Sequence, residues 1–238
     1  MDATDPVAVQ EATALLAESV HESIRGLVPY HADGYAAYLR AVLGAPAPMR
    51  TVLVRTVCIG SETVGTADWR VLPGELFLNG IAVASHARGM GLASLLMEDG
   101  AQLAKSMDIR RLGLDVLADN LVALNLYRRR GFVATGSTYW RHVDHAGADE
   151  TSLQAIDWPV FSAHMQAYGF GDLTLRLRSG ESRRVRQVGR KLRVPPGCPG
   201  VAYLAAALGA DRVVTTTVEA PDDLSIAHSL RMSREVCP

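Results

Sequence analysis

The residues best suited to chemistry lie in the run Arg88-Gly89-Met90-Gly91-Leu92-Ala93-Ser94. Two glycines there free the backbone to come close to another molecule. Leu92, Leu95, Leu96 and Leu103 then fall on one helical face, so the run is the entry to a helix. First-turn amides have no intrahelical partner and sit at the positive end of the helix dipole, which suits phosphate or pyrophosphate oxygens. The same glycines also serve a plain helix entry. Gly89-x-Gly91-x-x-Ser94 approaches the glycine pattern of dinucleotide-binding folds, with Asp115 further on. Against that pattern, residues 84–88 separate the preceding strand from the first glycine. Asp115 also falls inside its strand, and three strands precede the motif.

A second run, residues 120–132, has the form N-x-x-A-x-x-L-Y-x-x-x-G-F, met by Asn120, Ala123, Leu126, Tyr127, Gly131 and Phe132. With it the sequence resembles the GNAT superfamily of N-acetyltransferases. Arg88, Gly91 and Ala93 fit the family's R-x-x-G-x-A turn, and Gly80-Ile81-Ala82-Val83 is similar to its central strand. The resemblance covers residues 50–143. It implies acetyl-CoA as co-substrate, no metal, and acetyl transfer to a primary amine by direct attack in a ternary complex. On this view the amides of Arg88, Gly89, Met90, Gly91, Leu92, Ala93 and Ser94 hold the pyrophosphate. The backbone of Ile81, Ala82 and Val83 pairs with the pantetheine arm as an added strand. The amide of Ile81 or Val83 faces the thioester oxygen. Asn120 either contacts the arm or caps its helix. Tyr127 either protonates the leaving thiolate or packs against the sheet. For the general base the candidates are Asn79, acting through water, and Glu75 and His86, which flank the strand.

Composition narrows the field. The 238 residues are 48% hydrophobic and 21% charged, an ordinary globular balance that excludes disorder for most of the chain. Lys and Arg number 24 against 25 Asp and Glu, which argues against a nucleic-acid partner. Cys58, Cys198 and Cys237 share no ligand-like spacing, pointing to a reducing compartment without a zinc site. The N-terminus lacks a basic or apolar leader and no run suits a membrane span, so the expected location is cytoplasmic. The acceptor amine is a small molecule or a peptide, and a homodimer is among the expected states. The alternative function is a non-catalytic acyl-CoA-binding regulatory module acting through its C-terminal domain.

The elements that must position these residues follow from periodicity. Helices are expected over 6–24 and 33–43, and strands over 50–59, 63–71 and 75–83, an antiparallel meander. A helix, a strand over 111–117, a helix over 120–130 and a strand over 132–143 complete a parallel strand–helix–strand unit. The fold class is therefore α/β, a GNAT-like mixed sheet over 1–145, followed by a smaller α+β domain over 146–238. The resemblance implies a strand ahead of the first helix. None is evident in residues 1–20, so it is lost or supplied by the C-terminal segment. Beyond residue 145, strands are expected over 170–178, 183–194 and 212–218, a helix over 201–208, and a weak helix in the last twenty residues. This domain is an accessory unit or a degenerate second copy, since residues 190–194, a loop, a helix and a strand echo residues 80–116. Residues 172–193 carry eight Lys and Arg against two acids, either a solvated face or a grip for an anion. His142 and His145 are a weaker metal pair without a third ligand.

Overall fold

The computed structural model describes residues 5–145, 153–219 and 222–236. The first elements are α1 (Pro6–Glu18), α2 (Tyr35–Leu43), β1 (Val52–Ile59), β2 (Glu62–Leu72) and β3 (Glu75–Val83). Then come α3 (Leu92–Ser106), β4 (Arg111–Leu117), α4 (Leu121–Arg129) and β5 (Val133–His142). The remainder comprises β6 (Leu153–Ala155), α5 (Trp158–Tyr168), β7 (Phe170–Leu177), β8 (Ser182–Val188), β9 (Lys191–Val194), α6 (Val201–Leu208), β10 (Arg212–Thr217) and β11 (Ser225–Glu235). No described helix is long and apolar enough to cross a membrane.

Contacts divide the chain into unit 1 (Met1–Val20, Leu39–Ser137, Ser229–Pro238) and unit 2 (His21–Tyr38, Thr138–His228). This differs from the expected break after residue 145. Residues 146–152 lie outside the described residues, as does Cys237. Two segments change sides for identifiable reasons. Tyr30, Tyr35 and Tyr38 form an aromatic cluster with Tyr168 and Phe170, which ties residues 21–38 to unit 2. The C-terminal residues pair with β4, from Ser229↔Leu117 to Glu235↔Arg111, and so belong to unit 1.

In unit 1 the strand order is β1-β2-β3-β4-β11-β5, with β1–β3 antiparallel, β3 and β4 parallel, and β4 and β11 antiparallel. Among the described residues no strand precedes α1, and β11 does not take that place: it lies between β4 and β5 while β1 ends the sheet. The expected C-terminal helix is thus a strand. Its short run of small, polar and apolar residues suits either period, and a ladder on β4 decides it. α1 starts where expected, with the Asp5 carboxylate accepting the Val7 N–H at 2.9 Å, but stops at Glu18. Leu96, Met97, Ala101 and Ala104 of α3 are buried, together with Ala67 and Trp69 of β2 and Leu112 and Leu114 of β4. Leu95, expected on that face, is 55% exposed because the buried stripe runs one residue later.

Unit 2 has the order β5-β10-β9-β8-β7-β6. β7, β8 and β9 are an antiparallel meander, and β9 pairs in parallel with β10 across α6. The single return strand expected over 183–194 is two strands, turned at Gly189, whose φ of +53° suits glycine. α5 was not anticipated. Its apolar residues have little helical bias to one side, yet Phe161 is buried against Leu173 and Leu175.

The α3–β2 contact sets the position of the helix entry. A Cβ at Gly100 would lie 2.1 Å from Trp69 Cζ2, and the indole is fully buried and cannot move aside. Gly100→Val should therefore cost about 1–3 kcal/mol by overpacking, as measured by chemical denaturation. Unchanged stability would show that α3 can shift away from the sheet.

Candidate active site

The geometry of the site begins with an extra residue. β2 and β3 pair as Asp68↔Gly80 and Trp69↔Leu78, so Asn79 bulges out of the ladder. A bulge bends its strand and increases its twist. On its other edge β3 pairs with β4 from Leu76↔Leu112 only to Leu78↔Leu114. The two strands part company at the bulge. Residues 80–83 keep β2 as a neighbour, through Ala67↔Ile81, Thr66↔Ala82 and Gly65↔Val83. Among the described residues no strand pairs with them on the β4 side. That edge presents backbone groups to whatever enters the gap.

Directly after β3 a short turn at Ser85–Ala87, anchored by buried Ala87, leads to the glycine run. Gly89 and Gly91 have φ of +81° and +79°, and Gly91 is the residue that opens α3. No side chain caps this helix start. A Cβ at either glycine would meet nothing within 4 Å, so the turn lies against open space. The Arg88 side chain folds back, its Nε donating to the Val83 carbonyl at 3.3 Å, which joins the turn to the end of β3.

The remaining sequence candidates separate in the structure. Asn120 caps α4, its Oδ1 accepting the Ala123 N–H at 3.1 Å. Tyr127 is 5% exposed, its ring centroid 6.0 Å from that of Phe132. Burial alone pushes its phenol up to about 12. Glu75 is held by Arg111 (3.5 Å) and Arg231 (3.7 Å), and exposed His86 faces Glu62 at 3.4 Å. Glu75 is thus held between two arginines, and His86 lies against a carboxylate at the surface. Asn79 is exposed, and its Nδ2 donates to Asp68 Oδ2 at 3.0 Å. Arg70 donates to the same oxygen at 2.6 Å. Asp68 and Arg70 escaped the sequence reading. The available signal was a carboxylate in the middle of the apolar strand Thr63-Val64-Gly65-Thr66-Ala67-Asp68-Trp69. A separate cavity of about 330 Å³ is lined by Arg55, Thr56, Val57, Leu95, Leu96 and Asp99, with Arg55 and Asp99 in a two-contact ion pair (2.6 and 2.7 Å).

Other candidates have structural employment. Asp115 pairs with Arg231 at 2.8 Å, inside β4, which removes the dinucleotide reading's acidic residue. His142 faces the Arg212 guanidinium at 3.1 Å while His145 Nδ1 is near its own Val143 carbonyl, so they do not form a ligand pair. Among the described residues no group of three or more His, Cys, Asp and Glu could hold a metal. Much of the charge in 172–193 is paired. Arg186 binds Asp172 through two contacts of 2.7 Å, Arg183 pairs with Glu181, and Arg190 with Asp211. Lys191 donates to the Arg25 carbonyl, and Arg193 lies 5.7 Å over the Trp140 ring.

The site is thus framed by a mixed sheet that opens beside a glycine-entered helix. Residues 17–132, about half of the chain, match the acetyltransferase (GNAT) family, so the chain carries a GNAT acetyltransferase domain. Solved structures extend the likeness over the whole length. A tandem GNAT protein from the clavulanic acid biosynthesis pathway aligns with a TM-score of 0.71 at 13% identity, covering 100% of this chain and 98% of that one. A GCN5-related N-acetyltransferase from Sphaerobacter thermophilus aligns at 0.62 and 13%, covering 98% and 94%. One from Kribbella flavida aligns at 0.54 and 15%, covering 99% and 70%. At these identities the likeness is one of fold. No curated protein matches the sequence.

Two histidines of unit 2 give it an acid-sensitive stability. Burial, reinforced by Arg212, lowers the pKa of His142, and burial with Arg25 and Lys191 lowers that of His31. The unfolded chain then binds protons first, so this stability is complete above about 6.5 and drains away as pH falls through the lowered folded values. Unit 2 should melt at lower temperature at pH 5.5 than at pH 7.5, and His142→Gln should reduce that difference. A melting temperature independent of pH over this range would refute it.

Proposed function

We propose that unit 1 transfers the acetyl group of acetyl-CoA to a primary amine in a ternary complex. The observation that carries this is the coincidence of a strand edge, residues 80–83, that has no partner on the β4 side among the described residues, with a helix start at Gly91–Leu92 that no side chain caps. The amides of residues 88–94 take the pyrophosphate oxygens, and the edge of Ile81, Ala82 and Val83 takes the pantetheine arm. An amide of that edge stabilises the oxyanion as the amine nitrogen bonds to the carbonyl carbon. The attacking nitrogen gives up its surplus proton to water, the C–S bond breaks, and CoA leaves as a thiolate that takes a proton from that water. Asn79 stands where β3 leaves β4 and contacts the incoming amine or its water. Asn120 supports the site by capping α4, which carries Tyr127.

The raised pKa of Tyr127 refines its role. A thiol has an ordinary pKa of about 8.5, well below about 12, so the phenol keeps its proton. Tyr127 supports the departing sulfur as a hydrogen-bond donor and is neutral at any working pH.

Unit 2 we read as a degenerate copy of the same design. It repeats the meander, the parallel crossover and a helix opened by a left-handed glycine, Gly200 with φ +66°. β9, however, pairs with β10 over its whole length, Lys191↔Arg212 to Val194↔Thr215, and ends there at Pro195. No strand edge is left for a pantetheine arm. Pro199 also removes an N–H next to the helix start.

Calorimetry tests both statements together. The wild type should bind one acetyl-CoA per chain, and Gly91→Glu, which places a carboxylate where phosphate oxygens belong, should abolish binding without unfolding the protein. Two sites per chain, or unchanged affinity in the variant, would overturn the assignment. Tyr127→Phe keeps the ring and removes the donor. It should lower kcat by about 10²-fold, the order of one hydrogen-bond donor lost from developing transition-state charge, with little change in acetyl-CoA affinity. Near-full kcat would leave Tyr127 a packing residue.

A further inference from the structure

We infer that Arg231 limits the length of acyl chain the donor can carry, by strapping shut the end of the gap where that chain must stop. The inference rests on the acetyltransferase reading of unit 1. With the pyrophosphate on the amides of residues 88–94 and the pantetheine arm along residues 83 to 80, the acyl group points down β3 towards the closed end of the gap. That end is the Leu78↔Leu114 pair, the last of the three pairs that join β3 to β4. A parallel ladder this short is weak by itself. One face of it is sealed, because Leu76, Leu78, Leu112 and Leu114 are all buried in the core with α3.

The opposite face is held from β11. Alternation puts Glu75 and Phe77 of β3, and Gly113 and Asp115 of β4, on that face. Gly113 lays no side chain over the ladder. A Cβ there would lie 2.0 Å from Glu75 Oε1, so the space belongs to the Glu75 carboxylate. Arg231 sits directly opposite Asp115, and its guanidinium reaches across β4 to β3. It meets Asp115 at 2.8 Å, Glu75 at 3.7 Å and the Phe77 ring at 4.6 Å from the centroid. One side chain thus grips β3 just below the last pair and β4 just above it. A chain longer than acetyl must part Leu78 from Leu114, so its binding is weakened by whatever the strap adds to that opening. An acetyl group stops short of the pair and escapes the penalty. Arg231 acts through the strands it joins and is a positioning residue.

Two measurements on Arg231→Ala test this. Hydrogen exchange of the amides that join residues 76–78 to 112–114 should rise about tenfold, the order of one cation–π contact and two partly exposed ion pairs. Exchange in residues 52–59, in β1 of the same sheet, should not change. Calorimetry without an acceptor then compares acetyl-CoA with hexanoyl-CoA. The wild type should bind the acetyl thioester at least about tenfold more tightly. In the variant the hexanoyl-CoA Kd should fall by the same factor as exchange rises, because both read one opening, with the acetyl-CoA Kd within about twofold. Equal wild-type affinity for both thioesters, unchanged exchange, or faster exchange without tighter hexanoyl-CoA binding would each overturn the inference and leave the acetyltransferase reading intact. If the wild type binds neither thioester, that reading fails and this one with it. Should Arg231→Ala not fold, Glu75→Ala decides. It cuts the strap at β3, so the ratio of the two affinities must narrow, and an unchanged ratio would refute the strap.

Discussion

Unit 1 depends on one surplus residue in β3. In an unbroken ladder β3 would stay paired with β4 to its end, and every backbone group between Asn79 and Val83 would have a strand partner. The bulge at Asn79 twists β3 away after Leu78, while β2 keeps the far edge in register. An open strand edge would ordinarily be a liability, since unpaired N–H and C=O groups invite another chain. Here it is short, lies beside a glycine turn, and ends at the start of α3. The same departure that exposes the edge brings the helix amides to the end of it. Packing of α3 on Trp69 through Gly100 then holds that helix start in place.

How much of this the sequence revealed depends on whether a residue's reason is local. Gly89 and Gly91 are legible because a positive φ at a helix entry favours glycine, and Asn120 because a side-chain oxygen three residues before a free N–H caps a helix. β3 and β4 are read to the residue from their composition. The Asp68–Asn79 contact was not legible, because it joins residues eleven positions apart across a bulge. Nothing in the composition of residues 75–83 marks that bulge. β11 was missed for the related reason that its strand character comes from β4, a partner more than a hundred residues earlier. Four arginines of residues 172–193 have neighbours the sequence does not show: Arg183, Arg186 and Arg190 each pair with a carboxylate, and Arg193 lies over the Trp140 ring.

Comparison of the two units separates what the architecture supplies from what the chemistry needs. Both have a three-stranded meander, a parallel crossover and a helix that opens on a left-handed glycine. A helix entry is therefore common to both, and by itself says little about ligand. The β8–β9 ladder runs in register as Arg186↔Arg193, Gln187↔Leu192 and Val188↔Lys191, without an extra residue. β9 consequently stays on β10 to its last residue and the gap never opens. The bulge, more than the glycine turn, distinguishes the unit whose third strand leaves an open edge from the one whose corresponding strand stays paired.

Stability gives no reason for Asp68. Removing a carboxylate and a guanidinium from water costs several kcal/mol per ion before their attraction repays it, and well-packed apolar residues of similar volume are often as stable or more so. The neighbours on β2 are Ala67 and Trp69, both fully buried, so an apolar side chain would suit the strand. Arg70 balances the charge but does not explain it, since neither partner would be needed without the other. What the carboxylate does that no apolar residue could is accept N–H groups from both Arg70 and the Asn79 amide. A buried ion pair under an exposed amide, at the residue where two strands separate, is a costly arrangement for a scaffold.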